Sequence, residues 1–303
     1  MNPRHMFRGL ALVALFSALA CSAGASSAKA LQRYRAFGLV LKLDGANSFT
    51  VSCKEIPGFM DAMEMHLSAA DAGQLKTVKP GEMVDFTLVV ADDSQYAEDI
   101  RVHHFQSADQ RQLEAQCLRI VASAFDSRPN APAMLAVGQK VPDFTLIDQH
   151  DRPVKLSEMS GKVVALSFMY TRCSFTQYCL RLSNNLGLVG RRFSGQLGTD
   201  LALMTITFDP KNDTPDVLEK YSQTWKSSVG GWYFLTGPSD DVKKACLLFG
   251  MNFWSDMGMI AHVMHTVVID RNGVLLANLE GNEFTADQLG DLLEAAMDRK
   301  PAP

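Results

Sequence analysis

The segment from Val163 to Met169, which is apolar except for Ser167, constrains the fold of this chain most strongly. A strand in which polar and apolar residues do not alternate is buried on both faces, which is typical of a parallel sheet covered by helices. Further strand and helix patterns follow along the chain, at 201–208, 214–216, 266–270, 274–277 and 285–297. This alternation predicts an α/β domain over residues 137–303.

The first third of the chain has the pattern of a small all-β domain instead. Short apolar or alternating runs are separated by turn signals, at 37–43, 49–53, 84–90 and 100–103. Four or five short strands in about 70 residues favour a small closed barrel of the OB-like type over an open sheet. We therefore predict a barrel domain over 31–107. Apolar residues then recur at helical spacing, which predicts a helical linker over 108–136.

Residues 1–30 have the features of a signal peptide. Arg4 and Arg8 give a positive start, and Leu10 to Ala20 forms an apolar-to-small run of 11 residues. That run is too short to span a bilayer, which takes about 20 residues, but it suits the core of a secretory signal. Cleavage after Ala30 and lipid attachment at Cys21 both remain open. We expect an exported, periplasmic protein, with membrane association if Cys21 carries lipid.

The composition excludes some function classes. The formal net charge of the 303 residues is −4, and the basic residues are scattered rather than clustered. Binding to nucleic acid needs a basic stripe, so we expect no nucleic-acid partner.

Of the six cysteines, only Cys173 and Cys179 lie close together in sequence. In an oxidising compartment, such a pair is ordinarily a structural disulfide.

The position of the two cysteines is also compatible with a chemical role. Cys173 follows the buried strand directly, and Cys179 lies where a helical pattern begins at 180–184. A thiol at a helix N-terminus is expected to have its thiolate favoured by the backbone dipoles. The thiolate is the form that binds a soft metal or attacks a disulfide. The pair is therefore a structural bridge, a redox pair or a pair of metal ligands.

Several motifs in this domain resemble the Sco/SenC family. They are Tyr170-Thr171-Arg172-Cys173 with Cys179, and the segments 141–146 (VPDFTL), 208–215 (FDPKNDTP) and 232–237 (WYFLTG). The resemblance implies a thioredoxin-like fold, a copper site of two Cys and one His, and a role in assembling the binuclear copper centre of cytochrome oxidase. Most members place three residues between the cysteines, whereas this chain has five. That departure leaves the partner and the main activity open.

The resemblance assigns the histidine of the site to His262, shortly before the strand that ends at Asp270. His265 is the alternative. If both lay on one strand, their odd separation would turn the rings to opposite faces, so only one would face the cysteines. We choose His262. His265 also stands before Thr266, where thioredoxin-like oxidoreductases have a cis-proline, which favours a metal site over general disulfide exchange.

Copper suits two thiolates and an imidazole, because these ligands satisfy soft Cu(I) and can also hold Cu(II). Zinc would accept the same set, but structural zinc usually takes a fourth ligand, which the sequence does not offer.

The nearby Asp209 and Asp213 either order the adjacent loop or, for Asp213, cap the helix that starts at Thr214. We expect the capping role for Asp213.

A second soft-ligand run lies in the barrel domain. Met63 and Met65 alternate, so on a strand both thioethers project to one face, and methionine sulfur is a soft ligand that suits Cu(I). The run resembles CusF-type copper-binding barrels, which use one His and two Met with an aromatic side chain covering the metal. The resemblance places Cys53 at the histidine position, Met63 and Met65 at the methionines, and Met60 at the aromatic position.

These features together predict a periplasmic copper metallochaperone. The barrel would capture Cu(I), and the Cys173, Cys179 and His262 site would deliver copper to an apo-cuproprotein such as a cytochrome oxidase subunit. One alternative is a thiol–disulfide oxidoreductase, in which Cys173 and Cys179 would be the catalytic residues. A further alternative is passive copper buffering. The sequence does not define the oligomeric state.

Overall fold

The computed structural model describes residues 31–91, 94–104, 134–173, 176–225, 230–256 and 259–299. The predicted signal peptide, with Cys21, lies outside the described residues. So does the predicted helical linker, apart from 134–136, which form neither helix nor strand. In the described part of the chain, no helix is long and apolar enough to cross a membrane.

The N-terminal domain is a closed barrel of five strands, as predicted. Its strands are β1 (Gln32–Leu43), β2 (Ser48–Cys53), β3 (Met63–Ala69), β4 (Met83–Val90) and β5 (Gln95–Val102). A short 3-10 helix at Ala72–Thr77 precedes β4. Around the barrel the strands follow the order β1-β2-β3-β5-β4, and β4 pairs with β1 to close it. Every neighbouring pair is antiparallel except β3 and β5. Closure leaves the sheet without open edges.

Strand β1 is buried on both faces, which explains its unbroken apolar run. Val40 points into the barrel core, whereas Leu39 and Leu41 belong to the core of the second domain. The side chains of a strand alternate between its two faces, so each face has its own core to fill. The strand therefore carries apolar residues at consecutive positions although it belongs to a small antiparallel barrel.

The second domain is an α/β domain around a five-stranded sheet. Its strands are β6 (Thr145–Ile147), β7 (Pro153–Lys155), β8 (Val163–Met169), β9 (Leu201–Thr207), β10 (Trp232–Leu235), β11 (Phe253–Asp256), β12 (Met259–His262), β13 (His265–Ile269) and β14 (Leu275–Glu280). Its helices are α1 (Arg181–Arg192), α2 (Pro215–Thr224), α3 (Ser239–Leu248) and α4 (Ala286–Met297), with a 3-10 turn at Leu156–Met159 and a π-helical turn at Thr176–Leu180.

The central sheet has the order β10-β9-β8-β13-β14. Strands β8, β9 and β10 are parallel, and β13 and β14 are antiparallel to their neighbours. All seven residues of β8 are buried, as its apolar sequence predicted. The β13–β14 connection contains Gly273 at φ +73, a left-handed conformation that glycine adopts without strain. The cysteine-bearing loop leaves the carboxyl end of β8, which places Cys173 at one edge of this buried sheet.

Two hairpins stand outside the central sheet. Strands β6 and β7 form one, and β11 and β12 form the other. The sequence analysis did not predict the β11–β12 hairpin, which pairs Phe253 with His262. His262, the predicted histidine ligand, therefore lies on this hairpin and not on the central sheet.

The barrel and the α/β domain share an interface built on helix α4. This helix packs against β1 and β2. Ser52 Oγ donates to Asp291 Oδ2 at 2.6 Å, and Gln288 Nε2 donates to Ser52 O at 2.8 Å. At the edge of the interface, the His103 ring lies between Asp85 Oδ2 at 2.7 Å and Glu283 Oε2 at 2.9 Å.

Candidate metal centre

The two cysteines of the second domain meet where strand β8 gives way to helix α1. Cys173 is half-buried and its amide donates to the Tyr170 carbonyl at 3.2 Å. Cys179 lies in the π-helical turn before α1, and only 2% of its surface is exposed. Both are present as thiols, and their side chains are hydrogen-bonded to each other. The predicted pairing in space of Cys173 and Cys179 is therefore present in the fold.

His262 ends strand β12 and turns its ring towards this pair. Its Nδ1 atom lies 2.8 Å from the Val263 carbonyl oxygen, which can only accept, so Nδ1 carries the proton. The lone pair of the neutral ring is then on Nε2, which lies 3.9 Å from Cys179 Sγ. Fixing the tautomer through a backbone carbonyl is the usual way in which a metal-ligating histidine is oriented.

The distance between Cys179 and His262 suits a shared metal ion. Bonds of about 2.3 Å to sulfur and about 2.0 Å to nitrogen, at a trigonal angle, separate the two donors by about 3.7 Å. The observed 3.9 Å is close to that value. In the described part of the chain, however, no three His, Cys, Asp or Glu side chains form a ready metal-binding group. To join Cys179 and His262 as a third ligand, Cys173 must exchange its hydrogen bonds for a bond to the metal.

His265 faces a different environment. Its Nδ1 lies 2.9 Å from Asn278 Oδ1, and Asn278 Nδ2 donates to the Phe249 carbonyl at 2.9 Å. Burial lowers the pKa of His265, and the hydrogen bond to Asn278 and the charge of Glu280 only partly oppose that effect. The assumption that His262 and His265 share one strand was wrong, because β12 ends at His262 and β13 begins at His265. A two-residue break, rather than strand alternation, separates the two rings.

The thiol chemistry of Cys179 differs from the sequence-based expectation. We expected the helix N-terminus to favour its thiolate. Instead, the hydrogen bond with Cys173, burial and the charge of Cys173 together raise the pKa of Cys179. Backbone hydrogen bonds at Tyr170 and at Cys179 itself act in the opposite direction but do not prevail. A buried site far from water favours the neutral thiol, so a metal that binds here must displace a proton.

Aromatic rings surround the imidazole of His262. The Phe208 ring lies 4.7 Å from it, the Tyr170 ring lies 6.1 Å from it, and Phe253 packs on Phe208 at 5.4 Å. The sequence analysis did not assign these residues to the site. The three residues lie on three separate segments of the chain, so only the tertiary structure brings them together.

The two aspartates of the 208–215 motif hold the cysteine loop. Asp213 is fully buried and accepts hydrogen bonds from the Thr171 amide at 3.1 Å and from the hydroxyls of Thr171 and Thr207. Asp209 accepts from the guanidinium of Arg172 at 2.6 Å. The expected capping role of Asp213 is therefore wrong, since the helix begins without a side-chain cap and Asp213 instead anchors the residues before Cys173.

In the barrel, the predicted soft donors lie at one end of strands β2 and β3. Cys53 is paired directly with Met63, and Val51 with Met65, so these four side chains share one face. Cys53 and Met65 are buried, whereas Met63 is 52% exposed. Burial raises the pKa of the Cys53 thiol to about 12. The pairing places a buried thiol beside an accessible thioether at the barrel mouth.

Met60, the residue at the aromatic position of the resemblance, is half-buried and packs against the barrel core. Its amide donates to the Ile56 carbonyl at 3.1 Å. The neighbouring Phe59 stacks on Tyr34, with ring centroids 3.9 Å apart and planes inclined by 17°. This stack was not anticipated from the sequence, because Tyr34 lies on β1, far from Phe59 along the chain. An aromatic pair therefore includes the residue next to Met60, the methionine that the resemblance places at the aromatic position.

The fold and the site define a class of protein, namely a thioredoxin-like domain with a soft-donor site, preceded by a small barrel with a second set of soft donors. Residues 133–298 match the sequence model of SCO1/SenC, and residues 33–102 match that of the copper binding periplasmic protein CusF. The first match covers more than half of the chain. This chain therefore belongs to the SCO1/SenC family, and it carries an N-terminal CusF-type domain.

Individual relatives agree with this assignment. The chain is 27% identical over 100 residues to the SCO1 protein homolog of Bacillus subtilis, a match to 33% of this chain and 50% of that protein. It is 31% identical over 110 residues to mitochondrial protein SCO1 of Saccharomyces cerevisiae, a match to 36% of each chain. It thus spans half or less of the length of these two curated relatives.

Solved structures are also similar. The crystal structure of yeast Sco1 with copper bound shares 24% identity with this chain, with a TM-score of 0.46, and the match covers 56% of this chain and 92% of that one. Copper, the cofactor expected from the sequence, is the metal named in the description of the matching CusF model.

Proposed function

We propose that this chain is a periplasmic copper metallochaperone. Its thioredoxin-like domain would bind Cu(I), and also Cu(II), through Cys173, Cys179 and His262, and would deliver the ion to an apo-cuproprotein. The observation that carries the proposal is the 3.9 Å between Cys179 Sγ and His262 Nε2, with Cys173 hydrogen-bonded to Cys179. Two sulfurs and one nitrogen are donors that copper accepts in both oxidation states.

The barrel would serve as the point of capture. Cys53, Met63 and Met65 would bind Cu(I), with Met60 beside them, and the exposed Met63 would be the first donor that an incoming ion meets. A thiol and two thioethers select the soft Cu(I) ion over harder divalent metals. The acceptor that we propose for the delivered copper is a cytochrome oxidase subunit, in keeping with membership of the SCO1/SenC family.

The test uses the full chain with the barrel donors replaced by Cys53→Ser, Met63→Leu and Met65→Leu, so that only the second site can hold copper. In this background we expect one tightly bound copper per chain, and we expect Cys173→Ser with Cys179→Ser to remove it. His262→Ala should release Cu(II), whereas His265→Ala should retain it. Copper binding that is unaffected by loss of both cysteines would contradict the proposal.

A thiol–disulfide oxidoreductase is the second candidate. The hydrogen bond between the two thiols favours it, because oxidation can join two neighbouring thiols in a disulfide. The more accessible Cys173 thiolate would attack a target disulfide, and Cys179 would then attack the mixed disulfide, leaving the target reduced and this chain oxidised. His262→Ala separates the two functions, since it should abolish Cu(II) retention and leave thiol exchange nearly unchanged.

Passive copper buffering is distinguished by the acceptor. A metallochaperone transfers its copper to an apo-cuproprotein faster than free copper exchange allows, because the two proteins share thiolate ligands during transfer. A buffer releases copper at a rate that does not depend on the acceptor concentration. Transfer rates measured against increasing apo-acceptor therefore decide between these two functions.

A further inference from the structure

Tyr170 lies between the cysteine loop and the histidine hairpin. It follows strand β8 directly, and only 5% of its surface is exposed. It is not one of the predicted donors. A buried tyrosine needs a hydrogen-bond partner for its hydroxyl, so the partners that it chooses indicate its role.

The Tyr170 hydroxyl has two partners on two different elements. One is the Cys173 side chain, and the other is the backbone of Ile260. Ile260 lies in strand β12, two residues before His262. A single hydroxyl group therefore joins the loop that carries Cys173 to the strand that carries His262, and both are predicted metal ligands.

The ring of Tyr170 is fixed by aromatic packing. It lies 5.1 Å from the Phe208 ring and meets the His262 ring edge to face, at 6.1 Å and 84°. Phe208 in turn packs on His262 at 4.7 Å. Because the ring cannot shift without disturbing these contacts, the hydroxyl is held at a defined place relative to both donors.

We propose that Tyr170 is a positioning residue of the copper site, which sets the separation between the Cys173 sulfur and the strand that carries His262. The inference rests on the proposed function of Cys173, Cys179 and His262. A hydrogen bond donated to a ligating sulfur also withdraws electron density from it, and such bonds tune the spectrum and the potential of copper–thiolate sites. Tyr170 would thus act on the metal through Cys173.

The chain offers a matched control in Tyr221. This residue is half-buried, and its hydroxyl lies 3.0 Å from Ser183 Oγ, which is not a predicted metal ligand. Tyr170→Phe and Tyr221→Phe each remove one bonded hydroxyl and keep the ring. A difference between the two variants therefore reports the contact with Cys173, not the general loss of a tyrosine hydrogen bond.

The experiment measures the sulfur-to-Cu(II) charge-transfer band, the Cu(II)/Cu(I) potential and the copper affinity in the chain that lacks the barrel donors. For Tyr170→Phe we expect a shifted band, a lower potential and an affinity reduced by about 10- to 100-fold, as for other outer-shell partners. For Tyr221→Phe we expect the parent values. Tyr170→Phe with parent band, potential and affinity would overturn the inference and leave the proposed function intact.

Two further outcomes complete the test. If the parent shows no band that depends on Cys173 and Cys179, the proposed function fails and this inference falls with it. If Tyr170→Phe does not fold, 3-fluorotyrosine at position 170 replaces it, since it keeps the ring and makes the hydroxyl a stronger donor. We expect a shifted band and a higher potential for 3-fluorotyrosine at position 170, and the parent values for 3-fluorotyrosine at position 221. Parent values at both positions would overturn the inference.

Discussion

Ser52 of the barrel and Asp291 of helix α4 are joined by a hydrogen bond of 2.6 Å between Oγ and Oδ2. On the other side of Cys53, Lys54 Nζ donates to the Glu283 carbonyl at 2.9 Å. The second domain therefore forms hydrogen bonds with the residues on both sides of a predicted barrel ligand. These bonds connect the strand end that carries Cys53 to the second domain.

Stability should depend on this contact across the two domains. A hydrogen bond to a charged partner contributes about 1.5–3 kcal/mol, so Ser52→Ala and Asp291→Asn should each lower the free energy of unfolding by an amount in that range. Ser52→Ala removes the hydroxyl donor, and Asp291→Asn removes the charge of its acceptor together with the ion pair to Arg192. A double-mutant cycle cancels the separate effect on Arg192 and should give a coupling energy of about 1 kcal/mol. Ser239→Ala, at an exposed position, is the control. Additive effects of Ser52→Ala and Asp291→Asn would contradict the docked arrangement.

Asp213 should be the residue on which the cysteine loop depends most. Asp213→Ala leaves the Thr171 amide and two hydroxyls without their acceptor, so we expect a loss of about 2–4 kcal/mol in unfolding free energy. Hydrogen exchange at Thr171 should rise in the same variant. Asp216→Ala removes an exposed acidic residue from the first turn of α2 and should cost under about 1 kcal/mol. Similar losses for the two variants would show that the buried network is not what stabilises the loop.

Acid should weaken the turn at Asp148. Burial raises the pKa of this carboxyl, but hydrogen bonds from the Arg152 amide and guanidinium and from the His150 amide outweigh it and lower the pKa. The pKa of Asp148 in the folded chain thus lies below the unfolded value of about 3.9. Its contribution to the free energy of unfolding is therefore complete above the unfolded pKa and is lost as the pH falls through the folded pKa.

Unfolding free energies measured between pH 7 and pH 2 test this prediction. Asp148→Asn should be less stable than the parent at pH 7, and the difference should shrink as the solution becomes acidic. Asp151→Asn is the control at an exposed position of the same turn. A difference that stays constant over the whole pH range would rule out the assigned role.

Substitutions of the barrel donors should change the stability of the fold by unequal amounts, but they should lower the Cu(I) affinity of the barrel to a similar extent. Met63→Leu should lower the Cu(I) affinity of the barrel at least tenfold, about 1.4 kcal/mol, with little change in stability because the side chain is largely exposed. Cys53→Ser should also lower the affinity, since it removes the one thiol of the set. Met83→Leu, a buried methionine in β4, should leave the affinity unchanged. Competition with a Cu(I) chelator, in the chain without Cys173 and Cys179, provides the measurement.

Much of the fold could be predicted because it depends on local pattern. The seven buried residues of β8 form the predicted strand, and the strands of the first third close into the predicted barrel. The unbroken run in β1 had a cause that no local pattern contains, namely burial of its outer face by a second domain. The β11–β12 hairpin was missed, and with it the break between the strands of His262 and His265.

The residues of the candidate site could be proposed from the sequence, but the protonation and hydrogen bonding around them could not. Spacing and resemblance selected Cys173, Cys179 and His262. The raised pKa of Cys179 depends on burial and on its neighbour Cys173, and both are properties of the folded chain. The role of Asp213 depends on hydrogen bonds to Thr171 and Thr207, which only the tertiary structure brings together.

X-ray absorption spectroscopy of the copper-loaded chain without barrel donors tests the central claim most directly, because it measures the atoms bound to the metal. The account predicts a first shell of two sulfurs at about 2.3 Å and one nitrogen at about 2.0 Å, with both sulfurs lost in the Cys173→Ser, Cys179→Ser variant. A shell of oxygen and nitrogen alone, or one that is the same in that variant, would contradict it.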